Sequence, residues 1–366
     1  MTTICHLTSA HPRYDTRIFQ RMCKYISKEG FTTYLVVGDG MEDCEKDGVK
    51  IFSIPKSKNR FSRMLLSPYK ILQKSLKLNA DIYHLHDPEL LPLIPLLKLR
   101  GKKVIFDFHE DFIEQIPDKE YLNKYLAKVI RIIFIFLEKL IIPMLDGVVT
   151  ATPFINKKYL KLNRNSININ NFPEISLIED SINKIKKGNN ICYVGVITKE
   201  RGILEILTAL DSMKDNIFLE LAGVFSDKKI EQDSRKHPGW KKVIFHGKVS
   251  YKDVPAILAR SIAGIVVFHP ISNHINSQPN KIFEYMASGI PIIASDFPLW
   301  KEIIEKNNIG YHVNPLKPIE ISAAIKEATY NNEYNKAISK NAKNLIKYKY
   351  NWEVEFFNLA KMYNEL

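Results

Sequence analysis

Short apolar runs alternate with amphipathic helical patterns along almost the whole chain, and this alternation constrains the fold most strongly. The runs that resemble buried strands are Ile4–Leu7, Thr33–Val37, Ile82–Leu85, Val104–Phe108, Gly147–Thr150, Ile191–Val194, Phe218–Ala222, Val243–Phe245, Gly264–Phe268 and Pro291–Ser295. Strands that alternate with helices predict βαβ units and parallel sheets. Because 366 residues usually form more than one core, the sequence predicts an α/β fold with two successive Rossmann-like domains.

A polar break divides the two series of strands. Residues Asn168–Glu174 are polar and contain a proline, and the lysine-rich run Lys184–Lys187 follows, so this region is interpreted as a linker. It places the first domain at residues 1–170 and the second at residues 171–351. Ligands of open parallel sheets bind outside the carboxyl ends of the strands. We therefore expect the site in the cleft between the two domains.

Composition and charge narrow the classes of protein. The net charge of +13 suggests an anionic partner without identifying it. The four cysteines are far apart and form no CxxC pair, so neither a structural zinc site nor a disulfide framework is expected. The N-terminus lacks the pattern of a secretory signal. The most apolar stretch, Val129–Leu145, contains several charges and is interpreted as a buried or surface-lying helix rather than a spanning one.

The segment Ser277–Asp296 carries the clearest local signals. Ser277 could cap a helix, Pro279 suits its first turn, and Gly289 suits the left-handed position after its end. Lys281 and Glu284 are three residues apart and share one helix face. The helix N-terminus would attract phosphate, and Glu284 could accept hydrogen bonds from ribose hydroxyls. A plain capped helix with a surface Lys–Glu pair remains the alternative.

A second segment, Ile191–Leu204, predicts a strand that ends at Gly195, followed by a loop with Lys199 and Arg201. Gly202 would then begin a helix. A cation at a helix start is electrostatically misplaced unless an anion is nearby. A diphosphate would be such an anion, and the fork of arginine donors suits it. The alternative is a solvent-exposed arginine.

Together, these segments resemble the large retaining glycosyltransferase family 4, which has the GT-B fold. PNKIFEYMASGIPIIASD is similar to its donor-binding signature, and YVGVITKERGILEIL to its diphosphate-holding strand, loop and helix. LELAG and FHGKVSYKDVPAILARSIAGIVVFHP resemble the segments between them, and NNFPE resembles the interdomain hinge. HPRYDTRIFQRMCKYISKEGF, HLHDPELLP and KKVIFDFHED resemble one subgroup. The resemblance implies that a last helix, residues 352–366, crosses back to the first domain.

The resemblance also implies roles for residues. It assigns Glu284 to the ribose, Arg201 to the diphosphate and His109 to the transferred sugar, and these three are the expected catalytic residues. The expected donor-binding residues are Gly195, Lys199, Arg201, Gly223, Asn276, Ser277, Asn280, Lys281, Ile282 and Glu284. The expected acceptor or cleft residues are Asp15, Arg17, His86, Asp87, Glu89 and Glu110. Two positions depart from the family pattern: Asn276 replaces a glutamate, and Val196 replaces a basic residue.

The implied reaction is sugar transfer from a nucleotide-diphosphate sugar, such as a UDP- or GDP-sugar, with retention of configuration. The implied setting is O-antigen, capsule or exopolysaccharide synthesis, including lipopolysaccharide, with a glycan or undecaprenyl-type lipid-linked acceptor. Cations and helix N–H groups would stabilise the leaving diphosphate. No metal ion or other cofactor is therefore expected. The acids Asp107, Glu110 and Asp111 cluster in sequence, but they are interpreted as a strand end and helix cap.

A basic amphipathic stretch raises the question of a membrane partner. Residues Lys56–Lys77 contain seven basic and no acidic residues, interleaved with large apolar ones. This composition suits an anionic membrane surface, to which Lys119–Leu145 could add a second face. The alternative is a solvated helix that covers the first domain. The expected location is the cytoplasm. If Lys56–Lys77 contacts a membrane, the protein would attach peripherally to the inner face of the cell membrane.

Four other functions stay open from the sequence. A nucleotide-sugar epimerase would share the two-domain shape, and a non-catalytic sugar-nucleotide-binding protein would fit the loss of the glutamate at Asn276. A nicotinamide dehydrogenase is disfavoured because no GxGxxG opens either domain. Nucleic-acid binding is disfavoured because the positive charge is dispersed and no binding motif is present.

Overall fold

Two compact units make up the chain. The computed structural model describes residues 1–110, 112–116, 123–175, 188–250 and 252–366. The first unit comprises Met1–Asn171 with Glu355–Leu366, and the second comprises Phe172–Val354. The domain boundaries drawn from the sequence, after residues 170 and 351, fall one and three residues from these. The lysine run 184–187, Asp111 and residues 119–122 of the second predicted membrane face lie outside the described residues.

An eight-stranded sheet forms the centre of the first unit. Its strands are β1 (Thr3–Thr8), β2 (Thr32–Val37), β3 (Cys44–Lys46), β4 (Val49–Ser53), β5 (Ile82–Leu85), β6 (Lys103–Phe108), β7 (Gly147–Thr150) and β8 (Ser166–Asn168). Their order is β3-β4-β2-β1-β5-β6-β7-β8. All neighbours are parallel except the β3–β4 pair. The five predicted strands are present, and three short strands at or near the edges are additional.

The helices of the first unit cover both faces of this sheet. They are Lys24–Lys28, Arg60–Leu78, Leu93–Lys98, Phe112–Gln115, Lys124–Ile141 and Pro153–Tyr159, with 3₁₀ turns at Pro88–Leu90 and Ile142–Met144. One apolar core joins Ile71, Leu72 and Ile141 from the helices to Tyr83 and Phe106 from the strands. The helices Arg60–Leu78 and Lys124–Ile141 therefore pack on the same side of the sheet.

The helix predicted at Ile18–Lys28 differs in its first half. Residues Thr16–Cys23 form a π-helix, which continues into the α-helix Lys24–Lys28. The Asp15 carboxylate caps this segment by accepting hydrogen bonds from the backbone N–H groups of Arg17 and Ile18, at 2.8 and 2.9 Å. A wider helical turn of this kind is frequent at functional sites, and here it directs Arg17 into the unit.

A six-stranded parallel sheet forms the centre of the second unit. Its strands are β9 (Asn190–Val194), β10 (Phe218–Ala222), β11 (Val243–Gly247), β12 (Ser261–Val266), β13 (Ile292–Ser295) and β14 (Gly310–Val313). Their order is β11-β10-β9-β12-β13-β14. The helices are Ile203–Ser212, Lys228–Lys236, Val254–Ala259, Ser272–Ile275, Asn280–Ala287, Pro298–Asn307, Pro318–Tyr330 and Asn332–Tyr348, with 3₁₀ turns at Lys199–Arg201 and Pro238–Lys242. The prediction of an α/β fold with two Rossmann-like domains is confirmed.

The last helix, Trp352–Glu365, begins in the second unit and contributes Glu355–Leu366 to the first. Its Glu355 carboxylate accepts hydrogen bonds from the backbone and side-chain nitrogens of Asn170, at 2.7 and 3.1 Å. Tyr363 lies buried against His84 of β5. Within the described ranges, we find no helix that is both long and apolar enough to cross a membrane.

Candidate functional site

Two glycines end adjacent strands of the second unit and bring their backbones unusually close. Gly195 follows β9 with φ of +136°, and Gly223 follows β10 with φ of +151°. A Cβ atom on Gly223 would lie 1.8 Å from the carbonyl oxygen of Gly195. Only glycine fits such a position without displacing backbone. The carboxyl ends of β9 and β10 therefore form a tight, side-chain-free edge.

Two cations lie beside this edge. A Cβ atom on Gly195 would be 2.6 Å from Lys281 Nζ and 4.0 Å from Arg201 Nη1. Both cations also lie over the Phe268 ring, with Arg201 Cζ 5.2 Å and Lys281 Nζ 5.6 Å from its centroid. Arg201 and Lys281 are each partly exposed. The fold thus holds two positive charges together at a surface that a ligand can reach.

The electrostatics of this pair favour an anion. Burial, followed by repulsion from Arg201, lowers the pKa of Lys281 to about 8, although Glu284 opposes the shift. Within the described residues, Lys281 Nζ makes no hydrogen bond or ion pair. Two close cations repel each other unless an anion bridges them. A phosphate group would provide that bridge, with Arg201 as a fork of donors and Lys281 as a point charge.

The helix Asn280–Ala287 presents its N-terminus at the same end of the sheet. Pro279 is its N-cap residue, and not part of its first turn as the sequence suggests. Gly289 takes the left-handed position after its end with φ of +62°, as predicted. The prediction that Ser277 caps it is wrong. The Ser277 hydroxyl instead donates to His274 O at 2.8 Å, because the chain turns between the helices Ser272–Ile275 and Asn280–Ala287. Glu284 lies one turn inside and is partly exposed.

The loop before Arg201 is shaped by Thr198, whose hydroxyl accepts a hydrogen bond from the Arg201 backbone N–H at 3.1 Å. Gly202, with φ of +74°, then begins the helix Ile203–Ser212, and a Cβ there would lie 2.1 Å from Val267 O. Arg201 therefore lies in a 3₁₀ turn before the helix rather than in its first turn. This local geometry determines the backbone position from which the Arg201 side chain extends.

The remaining residues predicted for the donor site are either exposed or buried. Lys199, Asn276 and Asn280 are exposed, and within the described chain none hydrogen-bonds to Arg201 or Lys281. Ile282 is completely buried in the core of the second unit, so only its backbone could face a ligand. The structure thus brings Gly195, Arg201, Gly223 and Lys281 together, with Glu284 on the same helix as Lys281.

A separate polar cluster occupies the carboxyl ends of β1, β5 and β6 in the first unit. The Asp87 carboxylate accepts hydrogen bonds from Thr8 Oγ1 at 2.8 Å and from Ser9 N at 2.6 Å. Glu89 accepts from Ser9 Oγ at 2.8 Å and pairs with Arg63, also at 2.8 Å. These acids therefore hold the loop after β1 in place. Glu110 is exposed and takes no part in these contacts.

Arg17 and Asp107 form a buried, two-pronged ion pair. Arg17 Nε and Nη2 donate to the two Asp107 oxygens, each at 2.7 Å. Arg17 Nη1 donates to Ile169 O and Asn171 Oδ1, both at 2.8 Å. Burial alone would raise the pKa of Asp107, but the Arg17 guanidinium holds it well below its ordinary value. Arg17, predicted as a cleft contact, is therefore committed to contacts inside the first unit.

Three buried histidines extend this network and form a group that could hold a metal ion. The ring nitrogens of His6, His84 and His86 lie within 4.8 Å of one another. His6 Nδ1 and His86 Nε2 already share a hydrogen bond of 2.9 Å, and His86 Nδ1 lies 3.2 Å from Asp107 Oδ2. Burial lowers the pKa of His6 and of His84 well below the ordinary value. The geometry fits a hydrogen-bonded network, in which the His6 and His84 rings are neutral, at least as well as a metal centre.

His109 and His11 face each other at the exposed end of the cluster, with ring centroids 4.9 Å apart. Burial lowers the pKa of His109, although the Asp107 charge opposes this. For His11, burial is outweighed by its contact with Asp15 and by the charge of Asp87, so its pKa is raised. At neutral pH His109 is thus a neutral ring that can accept a proton. His11 is protonated more readily than an ordinary histidine, because its pKa is raised.

Sequence reasoning missed His11, His6 and His84 as members of this cluster. His11 lies 3.5 Å from Asp15 and 3.4 Å from Asp87. Its spacing of four residues before Asp15 is a signal within the segment HPRYD, but the contact with Asp87 depends on the pairing of β1 with β5. The sequence shows His84 and His86 at alternate positions of the segment HLH, but it does not show that both are buried.

Two family models match the chain. The model described as "Glycosyl transferases group 1" matches residues 175–345, which lie within the second unit. The model described as "Glycosyltransferase Family 4" matches residues 16–169, which lie within the first unit. Both compact units are thus accounted for by glycosyltransferase models.

Known proteins are similar over part or all of the chain. A protein of Methanocaldococcus jannaschii described as an uncharacterized glycosyltransferase is 24% identical over 221 residues, 58% of this chain and 54% of that protein. The chain thus spans about half the length of this curated relative.

Solved structures are similar over the whole chain. Sucrose-phosphate synthase of Thermosynechococcus elongatus has a TM-score of 0.74 at 14% identity and covers 100% of this chain and 99% of its own. Anabaena HepE in complex with UDP-glucose has a TM-score of 0.74 at 14% identity and covers 100% of both chains. At this identity, the likeness establishes the GT-B fold.

Proposed function

Because the chain is a glycosyltransferase of the group 1 type, we propose that it moves a sugar from a nucleotide-diphosphate sugar to a glycan or lipid-linked acceptor. The observation that carries this proposal is the Lys281–Arg201 pair at the glycine edge of the second unit. HepE is described in complex with UDP-glucose and with UDP, which supports a donor of this class. UDP- and GDP-sugars are both candidates.

In the proposed mechanism, the bond between the anomeric carbon and the diphosphate breaks, and negative charge develops on the leaving oxygen. Arg201, Lys281 and the N–H groups at the start of the helix Asn280–Ala287 stabilise that charge. Losing one such contact typically lowers the rate by about 10²–10³. Because two cations already supply positive charge here, we propose that the reaction requires no metal ion. Full turnover after treatment with a chelator would support this proposal.

Glu284 is proposed to bind the ribose of the nucleotide. It lies three residues after Lys281 on the same helix, so a nucleotide whose diphosphate contacts Lys281 would place its pentose within one turn. A carboxylate accepts hydrogen bonds from two adjacent hydroxyls. Asn276 can also bind a hydroxyl, although it brings no charge.

In the first unit, we propose that His109 contacts the transferred sugar or the acceptor. His11 and Asp15 provide the neighbouring, partly exposed polar surface. Of the other predicted acceptor residues, Arg17, His86 and Asp87 lie buried beneath it, and Glu110 lies outside the cluster.

Retention of configuration by a front-face route, in which the leaving phosphate takes the acceptor proton, is part of this proposal. Surface-polysaccharide synthesis at the inner face of the cell membrane, with an undecaprenyl-type acceptor, is proposed as the setting.

The test is a calorimetric screen of nucleoside diphosphates and nucleotide sugars, followed by a transfer assay with the donor that binds. We expect one base to bind preferentially and Glu284→Ala to weaken that binding. Absence of binding by every nucleotide would contradict the proposal. Consumption of the donor without an acceptor would favour the epimerase. Binding without turnover would favour the non-catalytic protein.

A further inference from the structure

We propose that the outer faces of the helices Arg60–Leu78 and Lys124–Ile141 dock the first unit onto an anionic lipid bilayer. Both helices pack on the same side of the eight-stranded sheet through one apolar core. The surfaces that they turn away from the sheet are therefore on the same side of the unit. We call these two outer faces together the docking face. This proposal rests on the proposed function in one respect, since a lipid-linked acceptor would explain why the protein docks on a membrane. Docking itself is measured without a nucleotide.

The helix Lys124–Ile141 is apolar on the side that faces away from the core. Its exposed large side chains are Tyr125, Leu126, Val129, Ile132, Ile133, Phe136 and Leu140. Tyr125 is 87% and Phe136 66% exposed. Soluble surfaces rarely expose so many contiguous apolar side chains without a partner. The helix is therefore apolar on both sides, and among the residues that the structure describes only its inner side is covered.

The helix Arg60–Leu78 repeats this arrangement. Its inner side buries Ile71 and Leu72, whereas its outer side exposes Phe61, Met64, Leu65, Leu66 and Tyr69. Phe61 is 72% exposed. Tyrosine suits the boundary between lipid and water because its ring is apolar and its hydroxyl is polar. Two amphipathic helices of the same unit therefore present the same kind of surface.

Charge identifies the occupant as an anionic bilayer. The helix Arg60–Leu78 contains no acidic residue, and the single acid of Lys124–Ile141, Glu138, is buried against the Tyr159 hydroxyl at 2.7 Å. Four lysines on the two helices are exposed and make no ion pair within the described residues, namely Lys70, Lys77, Lys128 and Lys139. Lysines beside exposed apolar groups match anionic headgroups beside acyl chains.

A second copy of the chain is the competing occupant. The exposed residues Leu126, Val129, Ile133, Phe136 and Leu140 are spaced by three and four residues in turn, which is also the pattern of a coiled-coil seam. Two copies would, however, bring together lysine-rich helices with no exposed acid to pair with them. An interface of like charges is unfavourable. The charge therefore favours lipid over self-association.

The test is co-flotation of the full-length chain with liposomes of neutral phosphatidylcholine, or of phosphatidylcholine mixed with phosphatidylglycerol. We expect flotation only with the anionic liposomes and a decrease at high salt. The variant Val129→Gln/Ile133→Gln/Phe136→Gln should bind anionic liposomes at least about tenfold more weakly, and Lys128→Glu/Lys139→Glu about tenfold more weakly. These side chains are not buried, so the fold should persist.

Matched controls come from the last helix, in the same unit. Phe357 is 72% exposed and Lys361 is exposed, so Phe357→Gln/Lys361→Glu removes similar groups away from the docking face and should not change flotation. Equal flotation of the wild type and both docking-face variants would overturn the proposal. A second outcome would also overturn it: the wild type does not float, light scattering shows it to be a dimer, and Phe136→Gln converts that dimer to a monomer. Nucleotide binding should be the same in all variants, so failure to dock is distinguishable from failure of the donor site.

Discussion

Lys281 Nζ occupies the space beside Gly195 that a side chain on that glycine would need, since a Cβ atom there would lie 2.6 Å from it. The glycine at the end of β9 and the lysine at the start of the helix Asn280–Ala287 are therefore one structural unit. The absence of a side chain at Gly195 lets the ammonium approach the strand end. This approach places Lys281 beside Arg201, which is the basis of the proposed diphosphate site.

We expect Gly195→Ala to abolish or strongly weaken nucleotide binding while the fold persists. The new methyl group would displace Lys281 Nζ, and the φ of +136° would add strain of about 1–3 kcal/mol. The measurement is calorimetric titration with nucleoside diphosphate, together with thermal unfolding.

The control for this prediction is Gly247→Ala, also in the second unit. Gly247 has φ of +63°, but a Cβ atom there would have no neighbour within 4 Å. This variant should lose stability without losing nucleotide affinity. Equal loss of affinity in both variants would mean that the defect is general rather than caused by displacement of Lys281.

Replacing Lys281 tests the contribution of its charge. We expect Lys281→Met to weaken nucleoside diphosphate binding about 10–100-fold, because a hydrogen bond to a charged group contributes about 1.5–3 kcal/mol. Lys229→Met, at an exposed position on the helix Lys228–Lys236, is the matched control and should bind normally. Unchanged affinity of Lys281→Met would exclude a diphosphate contact at this residue.

The affinity should depend on pH through the same residue. Burial lowers the pKa of free Lys281 to about 8, and a bound diphosphate would raise it because the anion favours the protonated form. Binding is then strongest below pH 8. It should fall by up to about tenfold per pH unit above pH 8, until the pKa of the complex is reached. Titrations from pH 7 to 9.5 measure this, with Lys281→Arg as a control that stays protonated. A flat profile for the wild type would contradict the assignment.

The sequence predicted the elements that depend on local patterns. Apolar runs identified ten of the fourteen strands in the described residues. Pro279 and Gly289 flank the helix Asn280–Ala287, although Pro279 is its N-cap rather than part of its first turn. The short strands β3, β4, β8 and β14 lack a distinct apolar run and were missed. The π-helix at Thr16–Cys23 also has no distinct pattern, because its residues suit an ordinary helix equally well.

Site residues were predictable where one segment holds them, and not where tertiary pairing brings them together. Lys281 and Glu284 share one helix, so their relationship followed from spacing. His11 and Asp87 are separated by 76 positions and meet only because β1 pairs with β5. Arg17 is predicted as a cleft contact because HPRYDTRIFQRMCKYISKEGF resembles one subgroup of the family. Its partner Asp107 is 90 residues away, and no local pattern indicates that the two pair.

The Arg17–Asp107 pair should therefore be a determinant of stability in the first unit. We expect Arg17→Met to lower the free energy of unfolding by about 3–5 kcal/mol, because it leaves a buried carboxylate without its partner. Chemical denaturation followed by circular dichroism measures the loss. The double variant Arg17→Met/Asp107→Leu should recover part of it, since it removes both charges. As the matched control, Arg235→Met breaks an exposed pair with Glu231 and should cost less than about 1 kcal/mol. A loss as small for Arg17→Met as for Arg235→Met would show that Arg17 is not a structural residue, and would return it to the candidates for ligand contact.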